Sequence, residues 1–239
     1  MVPADVLPAS AGPSRISAFP ITGSRMTMTS VLILGASGQI AKWVIESLAA
    51  RNDTKLTLLL RDPKKISGNE PANAKLAIGD VLDKDFLKQI MPGHEIVYAN
   101  LTGEDLDMQA RAVISTMRAI GVKRLIFVLS LGIYDEVPGK FGEWNNAAIG
   151  EALAPFRQAA DAIEASGLDY TLLRPAWLTD EDEVDYELTE RHEPFKGTVV
   201  SRKSVADLVV RIMASPSLHV GANLGVNKPD TDGDKPYFM

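Results

Sequence analysis

The chain has 239 residues, with 25 Lys and Arg against 31 Asp and Glu and a formal net charge of −6. That length suffices for one large α/β domain with a full core, and the acidic balance argues against nucleic acid as a partner. With no cysteine in the chain, disulfides and thiolate metal sites are excluded, and no apolar run approaches the roughly 20 residues of a membrane span.

Residues 1–29 are rich in Pro, Ser, Gly and Ala and lack periodicity. They read as a flexible N-terminal extension, ahead of one domain over 30–239. They also lack the basic start and the continuous apolar stretch of roughly 7–15 residues that a secretory signal needs. Together with the missing cysteines, this points to a reducing, cytoplasmic compartment.

From Ser30 on, short apolar runs alternate with helical patterns. "VLIL" (31–34) predicts a strand, and Ile40, Val44, Ile45 and Leu48 are spaced as one face of a helix over 39–51. Further strands are expected at 55–60, 74–80, 95–101, 124–130, 169–175 and 222–227. The helices between them are expected at 83–90, 105–121, 151–166 and 204–215, with Gly121 and Gly167 as stops. Strands apolar on both faces that alternate with helices imply a doubly wound parallel sheet, a single-domain Rossmann fold. Ligands of such sheets bind at the carboxyl ends of the strands, where the winding reverses. The stretch from Gly132 to Pro155, with Phe141, Trp144, Asn145 and Asn146, reads as a long loop walling the substrate side, followed by the C-terminal substrate-side segments.

The first strand runs directly into "GASGQIA" (35–41). Gly35 permits a tight turn, Gly38 lets the backbone approach a pyrophosphate, and Ala41 keeps the helix close. Ser37, Gln39 and Ile40 place N–H groups at the helix start, facing phosphates. The second strand ends "RDPKK" (61–65). Arg61, with Lys64 and Lys65, favours the 2′-phosphate of NADP(H), whereas Asp62 leaves NAD(H) open. After the third strand, Asp80 can accept from the adenine amino group and Val81 can pack on its ring; capping of the next helix is the plainer role for Asp80. Asn100, Leu101 and Thr102 end the fourth strand beside the cofactor.

"GASGQIA", "RDP", "GDVLD", "VLSLG" and "EASGLDYTLLRPAWL" together resemble an atypical short-chain dehydrogenase/reductase of the NAD(P)-binding NmrA-like branch. In such proteins the backbone after the Arg-Pro pair lies near the nicotinamide, which implies Pro175, Ala176 and Trp177. The resemblance also implies that Ser130, at the end of strand five, orients a substrate carbonyl. Catalytic members of the wider family add a tyrosine and, four residues later, a lysine. Here Tyr134 and Lys140 are six apart with Pro138 and Gly139 between them, and no Tyr-x-x-x-Lys occurs in the chain. By spacing, that pair falls near Ala152 and Phe156, with Arg157 or Gln158 able only to hold a ribose. The resemblance therefore leaves two readings. One is an NADPH-dependent reductase of a small-molecule acceptor such as a flavin, quinone or other conjugated ring. The alternative is an NADP(H)-sensing protein that acts through a regulatory protein partner. His94, His192 and His219 are far apart and read as surface residues without a metal. The acidic run Asp180–Glu187 and "DTDGD" (230–234) read as a solvated loop and a polar tail.

Overall fold

The structure is a computed structural model, and it describes residues 28–66 and 70–239. The extension read over 1–29 therefore lies almost wholly outside the described residues. Its last residue, Thr29, opens the first strand and takes a hydrogen bond to the carbonyl of Asp53 at 2.8 Å.

Among the described residues ten strands follow in chain order: β1 (Thr29–Leu34), β2 (Thr54–Leu60), β3 (Ala74–Ile78), β4 (Ile96–Ala99), β5 (Arg124–Val128), β6 (Asp169–Pro175), β7 (Trp177–Thr179), β8 (Glu187–Thr189), β9 (Val199–Ser201) and β10 (Ala222–Asn227). Six α-helices of the described residues connect them: α1 (Gln39–Ala49), α2 (Lys84–Ile90), α3 (Leu106–Ile120), α4 (Gly139–Ile149), α5 (Ala154–Glu164) and α6 (Arg202–Ala214). Eight strands form one sheet in the order β3-β2-β1-β4-β5-β6-β10-β8, parallel except for β8, which runs antiparallel to β10 at the edge. Chain order runs outward from β1 through β2 to β3 on one side and from β4 onward on the other, so the winding reverses between β1 and β4.

The side chains of β1 show why this sheet needs cover on both faces. Val31 and Ile33 join one core with α1 and α6, while Leu32 and Leu34 join the other with α2, α3 and α5. All four are fully buried, each contributing roughly 1.5–3 kcal/mol by the usual area relation. α3 stops where Gly121 takes a left-handed φ of +79° and returns its N–H to Met117, a conformation that favours glycine. Ser201 caps α6 by accepting from the Ser204 N–H.

Several elements differ from the sequence reading, the antiparallel edge strand β8 among them. The stretch expected to be one long loop contains α4, which buries only Phe141 and Asn145. Its glycines and asparagines mask a helix whose stability comes from tertiary contacts. A further difference is a small parallel sheet of β7 and β9 that sits beyond the end of β6.

Candidate functional site

The glycine loop leaves β1 at the reversal point. Gly35 and Ala36 donate to the Leu59 carbonyl of β2 at 3.1 Å, and Asn100 donates to Leu34 at 3.0 Å. The loop is thereby pinned between β2 and the end of β4. Gly35 has φ +74°, and a Cβ there would stand 2.3 Å from the Asn100 carbonyl oxygen. Gly38 caps α1 in an extended conformation, and among the described residues no side chain caps that helix. The first N–H groups of α1 are left for an external acceptor, with the positive end of the helix dipole behind them. A Cβ on Gly38 would meet Asn100 Nδ2 at 1.9 Å, so the asparagine amide fills the space over the loop.

A cavity of about 270 Å³ opens over this loop. Gly35, Ser37, Gly38, Arg61, Asp80, Val81, Asn100, Leu101 and Thr102 all line it, so most of the residues singled out from the sequence meet at one place. Gln39 and Ile40 do not line it. Gln39 is exposed and Ile40 is buried in the core between α1 and α6, so Ile40 can offer only its backbone N–H. Lys65 joins Arg61 at the cavity, whereas Lys64 does not. The Asp62 carboxylate faces its own turn and accepts from the Lys64 N–H at 3.0 Å. Asp80 closes a local turn onto the Leu82 N–H at 2.9 Å, and the capping of α2 falls instead to Asp83. Gly79, Asp105 and Gln109 also line the cavity and were missed. Asp105 and Gln109 stand four apart at the start of α3 and share a hydrogen bond of 2.7 Å. Their i, i+4 spacing after the fourth strand was the available signal.

A free helix terminus, a glycine cradle and two cations beside a deep cleft suit a nucleotide with phosphates. The comparisons agree. A family profile described as NAD(P)H-binding matches residues 35–216. The chain belongs to this NAD(P)H-binding family. A Rossmann-fold NAD(P)-binding protein from Shigella flexneri is 60% identical with a TM-score of 0.78, covering 89% of this chain and 100% of that one. A short-chain dehydrogenase/reductase from Veillonella parvula, solved in complex with NADP, is 26% identical with a TM-score of 0.79, covering 88% and 99%. YhfK of Bacillus subtilis (strain 168), described as an uncharacterized sugar epimerase, is 27% identical over 191 residues, or 73% of this chain and 78% of its own. The chain thus shares the fold of short-chain dehydrogenases and epimerase-like proteins.

Across the sheet from the glycine loop, the NAD(P)H-binding domain presents the ends of β5 and β6. Ser130 is half-buried just past β5, between Leu129 and Leu131, whose N–H groups bond to Leu173 and Pro175. Pro175 ends β6 and Ala176 is buried, donating to Val226 at 2.9 Å. Trp177 is half-buried and donates from Nε1 to Asn145 Oδ1 at 2.9 Å, with the Trp144 ring 4.9 Å away. None of these four residues lines the 270 Å³ cavity. Ala152 and Phe156, at the positions a Tyr-x-x-x-Lys pair would take, wall another cavity with Pro155, Glu104 and Glu151; it shares Thr102 with the first.

Tyr134 points elsewhere. Its ring lies against Arg157 and Arg191, with their guanidinium carbons 4.5 and 4.4 Å from its centroid. Its hydroxyl accepts from Asn223 Nδ2 at 2.9 Å and approaches Glu164, the last residue of α5, at 3.4 Å. Burial raises its pKa above the ordinary phenol value, making it a weaker acid. Lys140 is exposed and pairs with Asp234 at 3.1 Å. Arg157 pairs with Asp161 and donates to the Ile133 carbonyl, so it is not placed for a ribose.

The remaining sequence readings divide. His192 is exposed and His219 half-buried, but His94 is buried, contrary to expectation: its Nε2 meets Thr57 Oγ1 at 2.8 Å. Burial holds its pKa below the usual imidazole value. The acidic run is tied down by Arg202, Lys203 and Lys228. No metal-binding cluster occurs among the described residues, and none of their helices is long and apolar enough to cross a membrane.

Proposed function

We propose that this protein is an NADPH-dependent reductase of the NmrA-like branch, working in the cytoplasm on a flavin, a quinone or another conjugated acceptor. The carrying observation is that Ala152 and Phe156, neither able to donate a proton, stand where a proton-donating pair would, with Tyr134 engaged away from them. An acceptor that disperses charge over its own π-system needs no positioned acid, only orientation.

NADPH, when bound, supplies the hydride. Arg61 and Lys65 hold the 2′-phosphate, which is favoured because both line the cavity and Asp62 does not, one of its carboxylate oxygens closing its own turn. The N–H groups of Ser37, Gln39 and Ile40 receive the pyrophosphate. Asp80 and Val81 flank the adenine, and Asn100 to Thr102 line the path toward the reacting ring. Ser130 orients the acceptor, and Pro175 to Trp177 form the wall beyond the nicotinamide. Trp144 and Trp177 give that side a surface on which a planar ring stacks.

The test is NADPH oxidation against a panel of flavins, quinones and aldehydes. Steady turnover with a flavin or quinone, and little with aldehydes, is the expected result. Tight NADPH binding without turnover on any of them would instead support a cofactor sensor acting through a protein partner.

A further inference from the structure

Arg174 lies in the middle of the sheet, on β6, and is fully buried. It pairs with Glu136, whose side chain is 4% exposed. The same Glu136 carboxylate accepts from two backbone N–H groups: Gly132 at 3.0 Å through Oε1 and Tyr134 at 2.9 Å through Oε2. Arg174 also donates from Nε to Asn223 Oδ1 at 2.8 Å and from Nη2 to the Glu190 carbonyl at 3.4 Å. One ion pair thus grips the turn that begins two residues after Ser130. Its other end immediately precedes Pro175, Ala176 and Trp177.

A buried ion pair is a poor means of gaining stability, since apolar residues of equal volume commonly serve as well or better. A buried pair whose guanidinium and carboxylate each make further hydrogen bonds does provide one fixed geometry. We propose that the Arg174–Glu136 pair is the positioning element of the acceptor side, setting the end of β5 and the end of β6 relative to each other so that Ser130 and Trp177 face one acceptor. This rests on the reductase reading for its kinetic consequence, though not for its structural one. Both residues act through the backbone they hold.

The pair predicts slow, matched amide exchange at Gly132 and Tyr134 in the wild-type protein, as in a sheet and unlike an exposed turn. Exchange at these two amides as fast as in exposed turns would overturn the proposal whatever the enzyme's activity. With an active acceptor, Glu136→Gln and Arg174→Met should each slow single-turnover hydride transfer at least tenfold and leave NADPH affinity within twofold. Arg174→Lys keeps a cation opposite Glu136 but cannot reach Asn223 and Glu190 as well. It should restore transfer to within threefold of wild type while remaining less heat-stable. A purely structural pair would instead make rate follow stability in all three variants, and that pattern would refute the proposal. Should Arg174→Met fail to fold, the comparison of Glu136→Gln with Arg174→Lys decides in the same way. Absence of turnover in the wild type would count against the reductase reading alone, because the exchange result stands apart from it.

Discussion

Tyr134 is half-buried and packs against two guanidinium groups, and its hydroxyl is taken by Asn223. Tyr134→Phe should therefore lower turnover by less than about tenfold, or ~1.4 kcal/mol of barrier. The loss of the Asn223 hydrogen bond should cost about 1 kcal/mol of stability. Single-turnover kinetics and urea unfolding check the two separately. A hundredfold loss with the cofactor still bound would mark Tyr134 as the proton donor. Arg61 is exposed at the lip of the cavity. Its charge-assisted contact with a 2′-phosphate would be worth about 1.5–3 kcal/mol, or roughly one to two decades of affinity. If the proposed preference for NADPH holds, Arg61→Ala should remove most of it and leave NADH binding nearly unchanged, as read by calorimetry.

The turn from β1 into α1 contains two glycines with different duties. At Gly35 a Cβ would strike backbone, 2.3 Å from the Asn100 carbonyl oxygen, and φ is +74°. Gly35→Ala should destabilise the fold by about 1–3 kcal/mol, the usual cost of a strained backbone. At Gly38 the obstacle is the Asn100 side-chain amide, which can swing away, and the backbone is extended. Gly38→Ala should leave the denaturant midpoint nearly unchanged but push Asn100 into the cleft. NADPH affinity should then fall about tenfold, or ~1.4 kcal/mol. Equal losses of stability in the two variants would contradict this division. α4 teaches a related lesson: it has Gly139, Gly142 and Gly150 within or beside it, and it is held through Trp144, Asn145 and Trp177 rather than by its own propensity.

For the whole molecule, stability is linked to pH through His94, which ties β2 to the connection before β4. Burial lowers its folded-state pKa below the ordinary value of 6.5. The unfolded chain therefore binds the extra proton first as pH falls below that value, and protonation favours unfolding. Stability should be full above pH 6.5, and the His94 component should be lost as pH falls through and below that value. The urea midpoint followed over this range should show the loss, and His94→Gln should abolish that component. A wild-type pH slope unchanged in His94→Gln would show that His94 does not carry it.

The doubly wound sheet was legible because two-sided burial forces apolar strands, and the tight turn at Gly35 and Gly38 demands small residues. Arg61, Asp80, Asn100 and Thr102 could be placed together because a parallel sheet brings all strand ends to one side. Only the tertiary structure decided that Tyr134 turns toward Asn223 and that His94 is buried. The two depend on partners 89 and 37 residues away, which sequence spacing does not encode. The same holds for Arg174 and Glu136, 38 residues apart. A charge among the buried residues of a strand signals that a partner must exist, because a buried charge cannot stand alone, but only the packed fold selects which carboxylate answers it.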